Sequence, residues 1–173
     1  MKRFLYENKD MTTQTTMSDN MALTFADKAK VLGATSFFPC KWESFRVDGC
    51  TILWEPNVYN GSGDENRVNA CIQSEGLIEK VLEYEEVLTG PVASAVKGEM
   101  DHVKVKITWD KIRFYDLQAE LTERPQRLGG WTCNIVFAIK GKWVSHGQSG
   151  LSIEATDIQL VEAKQAVHKN PFL

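Results

Sequence analysis

The most constraining feature of this chain is a set of period-two alternations in its second half. Val103, Val105, Ile107 and Trp109 fall on one side of an extended segment, with Lys104, Lys106 and Thr108 on the other. Trp131, Cys133, Ile135, Phe137 and Ile139 repeat the pattern. Leu151, Ile153, Ile158 and Leu160 repeat it again, around a break at residues 155–157. Side chains alternate across a strand, so each segment predicts a strand with one face in a core. Such strands cannot each bury a face alone and must share one core. Residues from about Phe37 to Glu162 are therefore expected to form one mostly antiparallel β domain, with Gly147–Val161 as its closing strand.

The remaining segments fill in the order. Phe37–Val47 and Cys50–Trp54 predict two strands joined by Asp48-Gly49, the dipeptide of a two-residue hairpin. Pro39 puts the first of them at an edge or near its start. A helix is expected over about residues 64–88. Ser62-Gly-Asp-Glu65 has the form of a capping box. Val68, Cys71, Ile72, Ile78, Val81, Leu82 and Leu88 follow at helical spacing, with the glutamates mostly opposite as a solvated face. Gly76 can divide this helix, and Gly90-Pro91 ends it. Asp110-Lys111 suggests a bulge or bend, after which Ile112–Leu121 continues extended. Residues 123–130 read as a loop, and Lys140-Gly141 as a turn or strong bend, with a further strand open at Lys142–Ser145. Ala22–Val31 suits a short helix or loose pairing with the sheet.

The fold class expected from this order is mainly β (α+β): a small antiparallel five-stranded barrel of the oligonucleotide-binding type with one amphipathic helix. A β-sandwich and a helix-backed antiparallel sheet are the alternatives. The organisation expected is a flexible arm over residues 1–21, polar and threonine-rich, one β domain over 22–162, and a tail over 163–173.

Composition narrows the class. With 43% hydrophobic and 25% charged residues, the chain is globular rather than disordered. It has no apolar run of bilayer-spanning length and no secretory pattern, which points to an intracellular protein, cytoplasmic or in a host nucleus, without membrane contact. Cys40, Cys50, Cys71 and Cys133 lack metal-ligand spacing and read as buried, reduced thiols. His102, His146 and His168 join no catalytic motif, and no phosphate-binding glycine loop is present. An enzyme is therefore not expected, and neither is a cofactor or a metal.

Charge is unevenly distributed, although the net value is only −3. Residues 43–97 carry ten acids against four bases, whereas residues 104–142 carry eight bases against four acids. A local basic surface matters more than the total for a nucleic-acid partner. The basic segment also supplies flat side chains. The candidate contacts are Lys104, Lys106, Lys111, Arg113, Tyr115, Arg124, Arg127, Lys140, Lys142 and Trp143. Ammonium and guanidinium groups meet phosphates, while Tyr and Trp offer surfaces on which unpaired bases stack. Trp109, Trp131 and Phe137 share strand faces with Val and Ile and read as core; Trp42 lies in a more polar context and is open to either role.

The segment Lys142–Glu162 adds a resemblance. An aromatic strand, a Gly-x-x-Gly loop at Gly147–Gly150, an apolar final strand from Leu151, and the Ile158-Gln-Leu-Val161 run follow one another. This succession resembles the end of the barrel in single-stranded-DNA-binding proteins of phages and some large DNA viruses. The resemblance implies an oligonucleotide-binding barrel that holds DNA, or alternatively RNA, by basic and aromatic residues, in replication or recombination. One departure stands out: such proteins commonly end in an acidic tail, whereas Ala163–Leu173 is basic and ends in Phe172-Leu173. The rival reading is a viral structural or assembly protein that forms homo-oligomers through the N-terminal arm or Phe172-Leu173. A small enzyme with a cleft in the β domain is a more distant rival.

Overall fold

A computed structural model describes residues 23–58 and 63–163. The expected N-terminal arm, Ser62 of the proposed capping box, and the tail beyond Ala163 lie outside the described residues. In chain order the elements are β1 (Lys30–Leu32), β2 (Thr35–Ile52), β3 (Asn57–Val58), β4 (Arg67–Gln73), α1 (Glu75–Glu85), β5 (Val96–Lys97), β6 (His102–Thr108), β7 (Arg113–Tyr115), β8 (Leu121–Thr122), β9 (Trp131–Ser145) and β10 (Gln148–Ala163). Among the described residues, no helix is long and apolar enough to cross a membrane.

Five of the strands close a ring in the order β2, β4, β6, β10, β9 and back to β2. Numbered along the chain, these ring strands run 1-2-3-5-4-1, the partly open Greek-key barrel of the oligonucleotide-binding fold. Pairing is antiparallel except where β10 runs parallel to β6 and β7. The alternating apolar residues fill the interior: Val103, Val105, Ile107, Ile135, Phe137, Ile139 and Ile158 are all buried. The short strands sit at the margins, with β1 on β2, β3 on β4, β5 on β6, and the β7–β8 hairpin beside β10.

The helix is shorter than its spacing suggests. Residues 67–73 form β4, with Val68, Ala70 and Ile72 alternating into the core. Val68, Cys71 and Ile72 fit a helical period equally well, so spacing alone could not separate the two. The helix starts at Ser74, whose hydroxyl accepts from the Leu77 amide at 3.2 Å. Such an N-cap satisfies one of the donors that the first turn leaves unpaired. Leu77, Ile78, Val81 and Tyr84 face the core.

Asp48-Gly49 does not turn the chain. β2 runs through it, and its pairing with β9 shifts register between Val47 and Cys50. Gly49 takes φ +70 and donates its amide to Asn134 Oδ1 at 3.1 Å. A glycine in that conformation serves a bulge as well as a hairpin, and here the partner strand β9 continues opposite both halves. Ile112–Leu121 is not continuously extended either: β7 and β8 fold back on one another, with the Asp116 amide donating to Glu120 O at 2.9 Å. Lys140-Gly141 bends within β9, which continues to Ser145, and Lys30–Leu32 pairs with the sheet as β1. The Gly147–Gly150 segment is mostly strand: only His146 and Gly147 take positive φ, closing a tight β9–β10 hairpin. All four cysteines are free thiols. Cys50 and Cys133 stand in register across β2 and β9, and burial pushes them up to about 11 and about 12.

Candidate nucleic-acid interface

The outer face of the second and third ring strands is where barrels of this type hold oligonucleotides, together with the loops at their ends. In this chain those strands are β4 and β6. Because Val103, Val105 and Ile107 fill the interior, alternation sends Lys104 and Lys106 outward. Lys104 lies opposite Cys71 of β4 and Lys106 opposite Asn69. Both lysines line a cleft of about 160 Å³ with Asn69, Lys97, Trp143, Leu151 and Ile153, and with Ala93–Ala95 along one wall.

Two features shape that cleft. Trp143 lies against Gly150: a Cβ at Gly150 would sit 2.4 Å from the indole, so only glycine admits this contact. The wall at Ser94-Ala95 is tied down by Glu85, which accepts from Ser94 Oγ at 2.6 Å and the Ala95 amide at 2.7 Å. Glu85 is thus a buried helix carboxylate and departs from the solvated face expected of the helix glutamates.

Lys106 is half-submerged in this arrangement. Burial and the nearby Arg67 hold its ammonium below the ordinary lysine range, with Lys140 adding to the effect and Glu154 opposing it. Glu154 is the ladder partner of Lys106 across the β6–β10 seam and pairs with Lys140 Nζ at 3.1 Å. Lys140 therefore adjoins the cleft through Glu154. Lys142 lies farther along β9, with its ammonium 4.8 Å and 5.2 Å from the Phe25 and Phe38 ring centroids.

The other candidates are placed elsewhere. Arg113 Nε pairs with Asp157 Oδ1 at 2.8 Å, and Tyr115 donates its hydroxyl to the same oxygen at 3.1 Å. Thr156 Oγ1 donates to Asp157 Oδ2 at 2.8 Å. The hydrogen bond and charge of Asp157 hold the Arg113 guanidinium above its ordinary range. Arg124 lies 4.1 Å from the Trp109 ring centroid, in a depression that Arg113 also lines. Lys111 is exposed just after β6; Arg127 is exposed in the β8–β9 loop, its carbonyl accepting from Trp131 Nε1 at 3.0 Å. The structure thus brings together Lys104, Lys106 and Trp143, with Lys140 adjoining, and leaves Arg113, Tyr115, Arg124, Lys111 and Arg127 off the cleft.

Sequence reasoning does not single out some residues of these surfaces. Lys97 and Asn69 line the cleft but lie in the acidic part of the chain, where charge counting hid them. Trp54 is exposed and packs edge-on to His102 with ring centroids 5.4 Å apart. Trp109, read as core, packs against the core while half-buried and also carries Arg124 over its ring.

No protein-family model matches the chain, and no curated protein matches it in sequence. Solved structures do match in fold. The single-stranded DNA-binding protein from bacteriophage Enc34, in a C-terminally truncated form, superposes with TM-score 0.53 at 11% identity, covering 79% of this chain and 96% of that one. The same phage protein in complex with ssDNA gives TM-score 0.51 at 12% identity, covering 79% and 97%. The order of the ring, the helix and the closing strand thus agree with the resemblance carried by Lys142–Glu162: this chain has the fold of a phage single-stranded DNA-binding protein, on a largely different sequence.

Proposed function

We propose that the protein binds single-stranded DNA across the outer face of β4 and β6, with little sequence preference, and acts as a binder rather than an enzyme in replication or recombination. The observation that carries this reading is the cleft where Lys104, Lys106 and Trp143 converge on the oligonucleotide face of the barrel. The phage protein of the same fold was solved with ssDNA, which supports the same ligand class. Ammonium groups engage phosphates and the indole stacks on a base. Neither reads base edges, so affinity depends on strand length and salt rather than sequence. Lys140 and Lys142 extend the basic line along β9. A ligand of this kind is consistent with a role in replication or recombination, since both processes expose single strands.

The test is a tryptophan-fluorescence titration with oligo-dT at low and high salt. Binding at micromolar protein that weakens linearly in log salt is expected, with a slope of about −0.7 per phosphate neutralised. Flat emission with no salt-dependent binding would overturn the reading. Competition by oligo-rU separates DNA from RNA.

A further inference from the structure

We propose that Trp42 is a second base-stacking station, reached across β10 and β9 from Lys106, and that Glu154 is the positioning residue that holds Lys140 over it. The inference rests on the single-stranded-DNA reading above and extends it to residues outside the cleft.

The backbone gives the first reason. β2 pairs Pro39 with Gly141 and Glu43 with Ile139, so three residues of β2, Cys40–Trp42, stand opposite Lys140 alone. On its other side β9 shifts as well, since Ser152 pairs with Gly141 and Ile153 with Ile139. Lys140 is therefore the extra residue against β10, while against β2 it is β2 that carries two residues more. Bulges re-aim side chains that a regular ladder would fix, and they recur next to functional sites. Here the two irregularities point Trp42 and Lys140 at each other, with Nζ 4.4 Å from the ring centroid.

Exposure gives the second reason. Trp42 is 58% exposed while a lysine ammonium covers part of its ring, so indole surface remains open to solvent beside a fixed positive charge. That pairing of a flat π-surface with an adjacent cation is what a stacked nucleotide requires, the ring for the base and the ammonium for the phosphate.

Glu154 gives the third. It is only 8% exposed, an acid within a basic band. It stands between Lys140, at 3.1 Å, and its ladder partner Lys106. Buried charges persist when paired, and this one ties the ammonium that serves Trp42 to the lysine that lines the Trp143 cleft. A single strand crossing this face would thus pass from Trp143 over Lys106, Glu154 and Lys140 to Trp42.

The experiment compares dT oligomers of about 4 and about 16 nucleotides, which bracket the sites of single barrels. Trp42→Ala is expected to weaken the long oligomer about tenfold and the short one less than about twofold, with Trp42→Phe restoring most of the loss. Glu154→Gln is expected to shrink the Trp42-dependent difference, as Lys140 is no longer held over the indole, and to steepen the log-affinity against log-salt slope by about 0.7, as the Lys140 charge loses its matching carboxylate. Wild-type affinities for Trp42→Ala at both lengths, or equal losses at both, would overturn the second station while leaving DNA binding intact. An unchanged slope in Glu154→Gln would overturn its positioning role. Absence of binding by the unaltered protein would overturn both this inference and the function it rests on.

Discussion

Two outer surfaces of this barrel carry the same kinds of side chain. On β4 and β6, Lys104 and Lys106 border a cleft with Trp143. Beside β10, Arg113 and Tyr115 sit on β7, again a cation next to an aromatic ring. Their electrostatic situations are opposite. Asp157, with 17% of its side chain exposed, accepts from Arg113, Tyr115 and Thr156. Around the cleft the carboxylates are fewer than the cations: Glu154 stands among Lys106, Lys140 and Arg67. Cations matched one for one by a carboxylate bring little net attraction to a phosphate, whereas cations in excess of their carboxylates do. Net local charge after internal pairing, not the count of Lys and Arg, separates the proposed binding face from a structural one.

The comparison can be broken by reversing charge on one surface and removing it on the other. Lys104→Glu with Lys106→Glu is expected to lower oligo-dT affinity at low salt by about 100-fold or more. Arg113→Ala should change it by less than about twofold, because its charge is already matched. Similar losses in the two titrations would erase the distinction. The β7 surface should register in stability instead. Asp157→Asn is expected to cost about 2 kcal/mol in urea unfolding, by weakening several hydrogen bonds to one charged group. An unchanged midpoint would show that the Asp157 network is not structural.

Smaller effects sharpen the picture of the cleft. Gly150→Ala pushes a methyl into the indole of Trp143 and should cost about 1–3 kcal/mol of stability, with altered tryptophan emission and weaker oligonucleotide binding. The smallest effect is one of pH. Burial and Arg67 hold Lys106 below the ordinary lysine range, so it loses its proton at a lower pH than an ordinary lysine would. Oligo-dT affinity should therefore begin to fall at a pH where ordinary lysines remain charged, and Lys106→Arg should move that fall to higher pH. The linked stability runs the other way. A lysine with a lowered folded-state value binds fewer protons folded than unfolded, so its penalty diminishes as pH rises.

Much of the fold was legible because strand alternation is a local signal. β6, β9 and β10 show it plainly, and the break at residues 155–157 is a true register shift between Ala155 and Asp157. β4 was hidden because Val68, Cys71 and Ile72 fit two periods, and only the cap at Ser74 decides between them. Asp48-Gly49 misled because the same glycine conformation serves a hairpin and a bulge. For the candidate site, Lys104, Lys106 and Trp143 were found from alternation and residue type. Arg113 and Tyr115 were not separable from them, since Asp157 lies far along the chain and its contact is tertiary. Trp42 and Lys140 meet only through facing bulges that no local pattern announces.

The seam between β6 and β10 has a consequence for how the protein is made. A single ladder pair, Glu154 with Lys106, joins these strands, which lie on either side of the whole β7–β9 stretch. Contacts between distant segments form late, because loop closure must precede them. During synthesis β6 leaves the ribosome well before β9 and β10, so an unfinished chain has neither a closed ring nor the Trp143, Lys140 and Glu154 side chains. The face proposed for nucleic acid is thus complete only once β10 has joined the ring. Once shut, a strand lying over the seam would hold it closed, and amide exchange near Lys106 and Glu154 should slow on binding.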